Sequence, residues 1–227
     1  MIVKGYIFDY GGTLDTGGCH WGKMLWHAYQ HIGMSVSEQQ FREAYVHAER
    51  TLGKDPIIQP NFTFRQTLEA KIRLQLEYLS QAPSYCSHLT SSIMDDVYAH
   101  TAHSHKVLQQ IPQPKVLVSN FYGNISTVLQ EFSLNDLFFH IIESAVVGVR
   151  KPDPRIFTLG VEALELQPPE VAVVGDSIEK DIIPAKESGC QTIWLRGEQW
   201  SDNPVDASAA DHIINNLTEL ITTSKYN

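Results

Sequence analysis

Residues 6–15 read Tyr6-Ile7-Phe8-Asp9-Tyr10-Gly11-Gly12-Thr13-Leu14-Asp15. A short apolar run, Tyr6 to Phe8, delivers the Asp9 carboxylate into a glycine-rich turn. That order suits a nucleophilic aspartate at the carboxyl end of a buried parallel strand, where open α/β sheets bind their ligands. Residues 1–15 are therefore expected to form one strand and its functional turn.

Outward from this stretch the hydrophobic period changes. Residues 20–108 are expected to be mostly helical. Met24, Leu25, Ala28, Tyr29 and Ile32 share one helical face. Ser37 with Gln40 has the form of a capping box ahead of Phe41, Ala44, Tyr45, Ala48 and Leu52, and Thr63 is placed to cap a helix containing Leu68, Ile72, Leu76 and Leu79. Glu69 and Arg73 form an i,i+4 pair on the outer side of that helix. From about residue 113, strands alternate with helices: strands at Val116–Val118, Ile141–Ile142, Val171–Val174, Thr192–Leu195 and His212–Ile214, with helices from Ile125 to Phe132, after Pro154, and from Ile178 to Ser188 before Gly189. Alternating β and α units predict a doubly wound parallel, Rossmann-like α/β sheet. The helical block is then an insertion. The expected division is a core of residues 1–15 and 109–227 and an α-helical cap of residues 16–108, hinged at Thr16–Gly18 and near Pro112–Pro114.

Three further stations complete the pattern. Val116-Leu117-Val118-Ser119-Asn120 is a strand ending in a hydroxyl and an amide. Gly148-Val149-Arg150-Lys151-Pro152-Asp153-Pro154 carries a lysine between a glycine and two prolines. Val173-Val174-Gly175-Asp176-Ser177 ends a strand in a second carboxylate, with Asp181 five residues beyond. In order and spacing, the four stations resemble motifs I to IV of the haloacid dehalogenase-like (HAD) superfamily, over nearly the whole chain. The resemblance implies a hydrolase, foremost a phosphatase of a small phosphorylated metabolite. Asp9 would form an aspartyl-phosphate. Mg²⁺ would be held by Asp9, the Gly11 carbonyl and Asp176, with Asp181 supporting it. Lys151 would place its charge on the phosphoryl oxygens and the nucleophile, Ser119 would bond a phosphoryl oxygen, and Thr13 and Asn120 would assist at the substrate. Phosphatases of the superfamily read Asp-x-Asp-Gly-Thr, and their second Asp is the general acid/base. Here that position is Gly11. The expected consequence is turnover that favours good leaving groups.

Other branches of the superfamily find matches in particular residues. A haloacid dehalogenase would use an arginine in the insert, for which Arg42 is the match. A phosphonate hydrolase would use a cap lysine, for which Lys54 is the match. A degenerate member would bind a phosphorylated ligand without turnover. His88, His100, His103 and His105 cluster late in the insert and read as a solvated helix end. Cys19-His20-Trp21 reads as the entry to the insert, and as a place from which a substitute proton donor could come.

The 227 residues carry 17 Lys and Arg against 26 Asp and Glu, a net charge of −9, with no long basic run. That argues against a nucleic-acid partner. No apolar stretch approaches the ~20 residues that a membrane-spanning helix needs. Cys19, Cys86 and Cys190 are odd in number and scattered, which suits a reducing cytoplasm.

Overall fold

The computed structural model describes residues 3–201 and 206–223. Six strands form one parallel sheet: β1 Gly5–Phe8, β2 Lys115–Ser119, β3 His140–Glu143, β4 Val171–Gly175, β5 Gln191–Leu195 and β6 His212–Ile214. Their order is β3-β2-β1-β4-β5-β6. The chain runs outward from β1 to β3, then returns to the other side of β1 and continues to β6. The reversal falls between β1 and β4, where Ile7 pairs with Val173 and Phe8 with Val174. At such a switch point the loops leave the strand ends in opposite directions and open a crevice.

The central strands are apolar on both faces because both faces are covered. Ile7, Val116, Val118 and Val173 pack beneath the helix Arg155–Ala163, with Phe157 and Val161. Tyr6, Phe8, Leu117 and Val174 face the other way, into the larger apolar cluster. Four helices inserted between β1 and β2 extend that cluster: α1 Trp21–His31, α2 Glu38–Lys54, α3 Phe64–Tyr78 and α4 Tyr85–Gln109. Leu25 and Tyr29, Phe41 and Tyr45, Leu68 and Ile72, and Leu89 and Ile93 supply their buried faces. Both capping boxes expected from the sequence are present, Ser37 with Gln40 and Thr63 with Gln66. Arg73 reaches Glu69 at 3.6 Å on the exposed side of α3.

One helix differs from its expected form. The segment from Ile178 to Ser188 is a π-helical turn at Ile178–Ile182 followed by a short α-helix, Ile183–Glu187. Ser177 caps the wide turn by accepting from the Lys180 backbone N–H, and Pro184 stands at the start of the short helix, where a missing N–H costs nothing. The wider turn swings Asp181 back toward β4. The segment stops as expected at Gly189, whose φ is +84°.

The loop after β5 reaches back onto the inserted helices. The carbonyl of Glu198 accepts from the His20 backbone N–H at 2.8 Å, and Gly197 lies against Gly18 so closely that a Cβ there would collide with the Gly18 backbone. Trp200 packs on His20 and Tyr45, with the Arg42 guanidinium 4.2 Å from its ring centre. Among the described residues no helix is long and apolar enough to cross a membrane.

Candidate active site

Asp9 follows β1 and Asp176 follows β4, so the two carboxylates flank the switch point. Two glycines make their approach possible. Gly12 has a φ of +99°, and a Cβ there would strike the Asp176 carboxylate; a Cβ on Gly175 would strike Asp181. One oxygen of each of Asp9, Asp176 and Asp181 lies within 4.8 Å of the others, and all three side chains are buried. The Thr13 hydroxyl sits between Asp9 Oδ2, at 3.3 Å, and Asp176 Oδ1, at 3.2 Å. Lys151 Nζ is salt-bridged to Asp9 Oδ1 and lies 2.7 Å from Asp181 Oδ1.

Three buried carboxylates thus share one buried ammonium. Burial pushes the Asp9 carboxyl up to about 6, against the pull of Lys151. Burial raises Asp176 well above the usual carboxylate range, and the charges of Asp181 and Asp9 add to it. Burial works against the charge of Lys151, but Asp181 and Asp9 outweigh it and raise the lysine. A cluster with this surplus of hard oxygen donors fits a divalent cation. Among the described residues these three acids are the group that could hold a metal ion. The histidines of α4 do not compete: His103 Nε2 is instead engaged by Asn216 Oδ1 at 3.1 Å.

Above the cluster lies a cavity of about 150 Å³. Asp9, Gly11, Ser119, Asn120, Lys151, Asp176 and Asp181 line its sheet side. Thr13, expected at the substrate, is fully buried and bonds the two acids instead. Asn120 lines the cavity, but its amide is engaged at both ends by Lys151: Nδ2 donates to the Lys151 carbonyl and Oδ1 accepts from the Lys151 N–H, both at 2.9 Å. Asn120 therefore holds the lysine loop against the end of β2.

The helical side of the cavity carries residues not singled out from the sequence. Lys71 on α3 forms an ion pair with Glu49 on α2 at 2.6 Å. The Tyr122 hydroxyl donates to Glu49 at 2.8 Å. The Lys71 ammonium lies 5.5–5.9 Å from the ring centres of Trp21, Tyr45 and Tyr122. Burial disfavours its charge, but Glu49 and Tyr45 outweigh burial and raise its pKa. Burial likewise opposes the charge of Glu49, and Lys71 reverses the effect and lowers it. The signal for this pair was in the helical period. Glu49 stands four residues after Tyr45, and Lys71 three after Leu68, so both charges sit on faces that otherwise read as core.

His20 caps α1, its Nδ1 accepting from the Gly22 N–H at 3.0 Å, so the neutral ring carries its proton on Nε2. Burial, with the Lys180 charge, lowers its pKa to about 4. Asp15 is fully buried; Oδ1 accepts from the Gly12 N–H at 2.7 Å and Oδ2 from Trp21 Nε1 at 2.9 Å. Burial pushes it up to about 7 against those bonds. Trp21 lines the cavity and Asp15 does not. Arg42 does not line the cavity either: Nη1 donates to the Trp200 carbonyl at 2.8 Å and Nη2 to Glu38. Lys54 borders only the wider outer groove.

A family model for haloacid dehalogenase-like hydrolases matches residues 3–189. The chain belongs to that family. It is a hydrolase. It is 30% identical to a phosphoglycolate phosphatase of Vibrio vulnificus, over 96% of this chain and 95% of that protein. It is 34% identical to a glyceraldehyde 3-phosphate phosphatase of Pyrococcus furiosus, over 39% of this chain and 37% of that one. Among solved structures, a dehalogenase with an intermediate complex aligns with a TM-score of 0.66 at 17% identity, over 97% of this chain and 96% of that one. A magnesium-bound HAD hydrolase of Bacillus subtilis aligns at 0.61 and 14% identity, covering 99% of both chains. At these identities the structural matches establish the fold of the hydrolase.

Proposed function

We propose that this hydrolase is a Mg²⁺-dependent phosphatase of a small phosphorylated metabolite, working through an aspartyl-phosphate on Asp9. The observation that carries the reading is the base of the cavity, where three buried carboxylates and one buried ammonium meet. Asp9, Asp176 and the Gly11 carbonyl would hold the cation, with Asp181 supporting it. The cation would supply positive charge that lets an anionic nucleophile meet an anionic phosphoryl group. Lys151 adds a fixed charge on the same side and holds Asp9 in one orientation. Asp9 attacks phosphorus, and the bond from phosphorus to the ester oxygen breaks. Water then attacks the aspartyl-phosphate and frees Asp9. Ser119, at the end of β2 and on the cavity wall, donates to a phosphoryl oxygen. Thr13 steers the Asp9 and Asp176 carboxylates, and Asn120 steers Lys151.

Relatives named as phosphatases support this reaction class. Dehalogenation is less well supported, because Arg42 is spent on Trp200 and Glu38. The four inserted helices act as the cap of residues 16–108 over the core of residues 1–15 and 109–227. Positive φ at Gly17 and Gly18 supports a hinge at that crossing. Free thiols at Cys19, Cys86 and Cys190 support a reducing compartment such as the cytoplasm. Hydrolysis of 4-nitrophenyl phosphate with and without Mg²⁺ tests the proposal. Activity should require the metal and fall to background in Asp9→Asn. Metal-independent turnover, or full activity in Asp9→Asn, would overturn it.

A further inference from the structure

Resting on the aspartyl-phosphate reading, we infer that Lys71 is the leaving-group site, and that the preferred substrates are small acyl phosphates, whose leaving group departs as a carboxylate.

In phosphoryl transfer the attacking and leaving oxygens lie roughly in line through phosphorus. With Asp9 at the sheet side of the cavity, the leaving oxygen points to the helical side. What stands there decides which leaving groups can depart. An alkoxide needs a proton, and the Asp9 turn and the inserted helices offer no ready donor. Gly11 has no side chain. His20 is neutral near pH 7, with Nδ1 held by the Gly22 N–H. Glu49 is held ionised by Lys71, and Tyr122 is turned onto Glu49. Tyr45 keeps its proton, since burial raises it well above the ordinary phenol range. Asp15, which burial holds near neutrality, is turned onto Gly12 and Trp21 and does not line the cavity.

The helical side offers positive charge instead. The Lys71 ammonium has three N–H donors, of which Glu49 takes one. Against burial, Glu49 and Tyr45 keep it a firm cation and a reluctant acid. It can receive a departing anion, and it is poorly suited to protonating one. One ammonium beside a carboxylate suits a monoanion better than a phosphate dianion. Phe64, Leu68 and Trp21 line the same side and accept a short acyl chain. The space of about 150 Å³ has room for a phosphoryl group and a short acyl chain.

The chemistry balances without a general acid. The Asp9 carboxylate attacks the acyl phosphate, the bond from phosphorus to the acyl oxygen breaks, and the carboxylate leaves with the electron pair. One mixed anhydride replaces another. Water then attacks the aspartyl-phosphate, giving the Asp9 carboxylate and dihydrogen phosphate. No proton goes to the leaving group in either step.

The experiment compares kcat/KM for acetyl phosphate, 4-nitrophenyl phosphate and glycerol 1-phosphate, with Mg²⁺, in the native enzyme, Lys71→Met and Lys71→Arg. The native enzyme should prefer acetyl phosphate to glycerol 1-phosphate by at least the ~10²–10⁴-fold that a missing general acid costs. Lys71→Met should lower acetyl phosphate turnover by about 10–100-fold, the worth of a charge-assisted hydrogen bond to a developing anion. Loss with 4-nitrophenyl phosphate should be smaller, because that charge spreads into the ring. Lys71→Arg should stay within a few-fold of native. Lys71→Met leaves Glu49 without its ion-pair partner; if it does not fold, Lys71→Met/Glu49→Gln takes its place. A native preference under 10-fold, or an equal loss with all three donors, overturns the inference and leaves the phosphatase reading standing. No turnover of any donor overturns both.

Discussion

Replacing Gly11 with aspartate should restore the missing acid, and the structure says the turn will accept it. Unlike Gly12, Gly11 has no positive φ, so an L side chain is unstrained there. A Cβ would lie 3.7 Å from Trp21 Cδ1, an ordinary van der Waals contact. Gly11 lines the cavity, and a Cβ there meets the Trp21 ring, so the new carboxyl would stand on the cavity wall beside that ring. Desolvation there would raise its pKa and favour the protonated form, as an acid catalyst requires. General acid–base catalysis is worth ~10²–10⁴-fold, or about 3–5 kcal/mol of barrier. Gly11→Asp should therefore raise kcat/KM for glycerol 1-phosphate by about 10²-fold or more, and leave acetyl phosphate within about three-fold. Phosphate release would be followed for both donors at saturating Mg²⁺, with far-UV circular dichroism confirming the fold. A folded variant that improves neither donor, or improves both equally, would refute the view that Gly11 limits leaving-group protonation.

Three further outcomes are expected. Asp176→Asn should raise the Tm of the metal-free protein, by relieving repulsion between buried carboxylates, and should abolish the thermal shift that Mg²⁺ gives the native chain; a native-sized Mg²⁺ shift would count against the proposed ligand set. Asp15 and Asp9 bind protons more tightly folded than unfolded, with pKa values raised to about 7 and about 6. Their stabilisation is complete below the ordinary carboxylate pKa and is lost as pH rises through those values. Metal-free native protein should therefore lose stability between about pH 6.5 and 8, above the range in which His20 has the opposite effect, and a Tm rising over that window would contradict the assignment. Asp15→Asn places an NH₂ opposite either the Gly12 or the Trp21 N–H, and urea unfolding should show a loss of about 1–3 kcal/mol.

Much of this molecule was legible in one dimension. Apolar runs of about four residues ending in Asp9, Ser119 and Asp176 marked β1, β2 and β4, because central parallel strands buried on both faces leave no polar alternation. Ser37 and Thr63 announced helix starts, since capping is a local hydrogen-bond exchange. The meeting of Asp9, Lys151, Asp176 and Asp181 was foreseen only through the resemblance of four ordered motifs. Nothing local in Arg150-Lys151-Pro152 says that its lysine is buried between Asp9 and Asp181.

What tertiary structure alone decided lies on the helical side of the cavity and in its supports. Glu49 and Lys71 sit on different helices, and only the packing of α2 on α3 over the sheet turns two charges on apolar stripes into a half-buried ion pair on the wall of the cavity that Asp9 also lines. Thr13 and Asn120 were expected at the substrate, yet burial and register turned them onto Asp9, Asp176 and Lys151. Arg42 was drawn away by Trp200, a residue 158 positions later in the chain. Helical period and turn chemistry depend on neighbours a few residues apart, so sequence determines them. Ion pairing and proton affinity depend on which distant groups share a desolvated space, and that is settled only when the chain closes on itself.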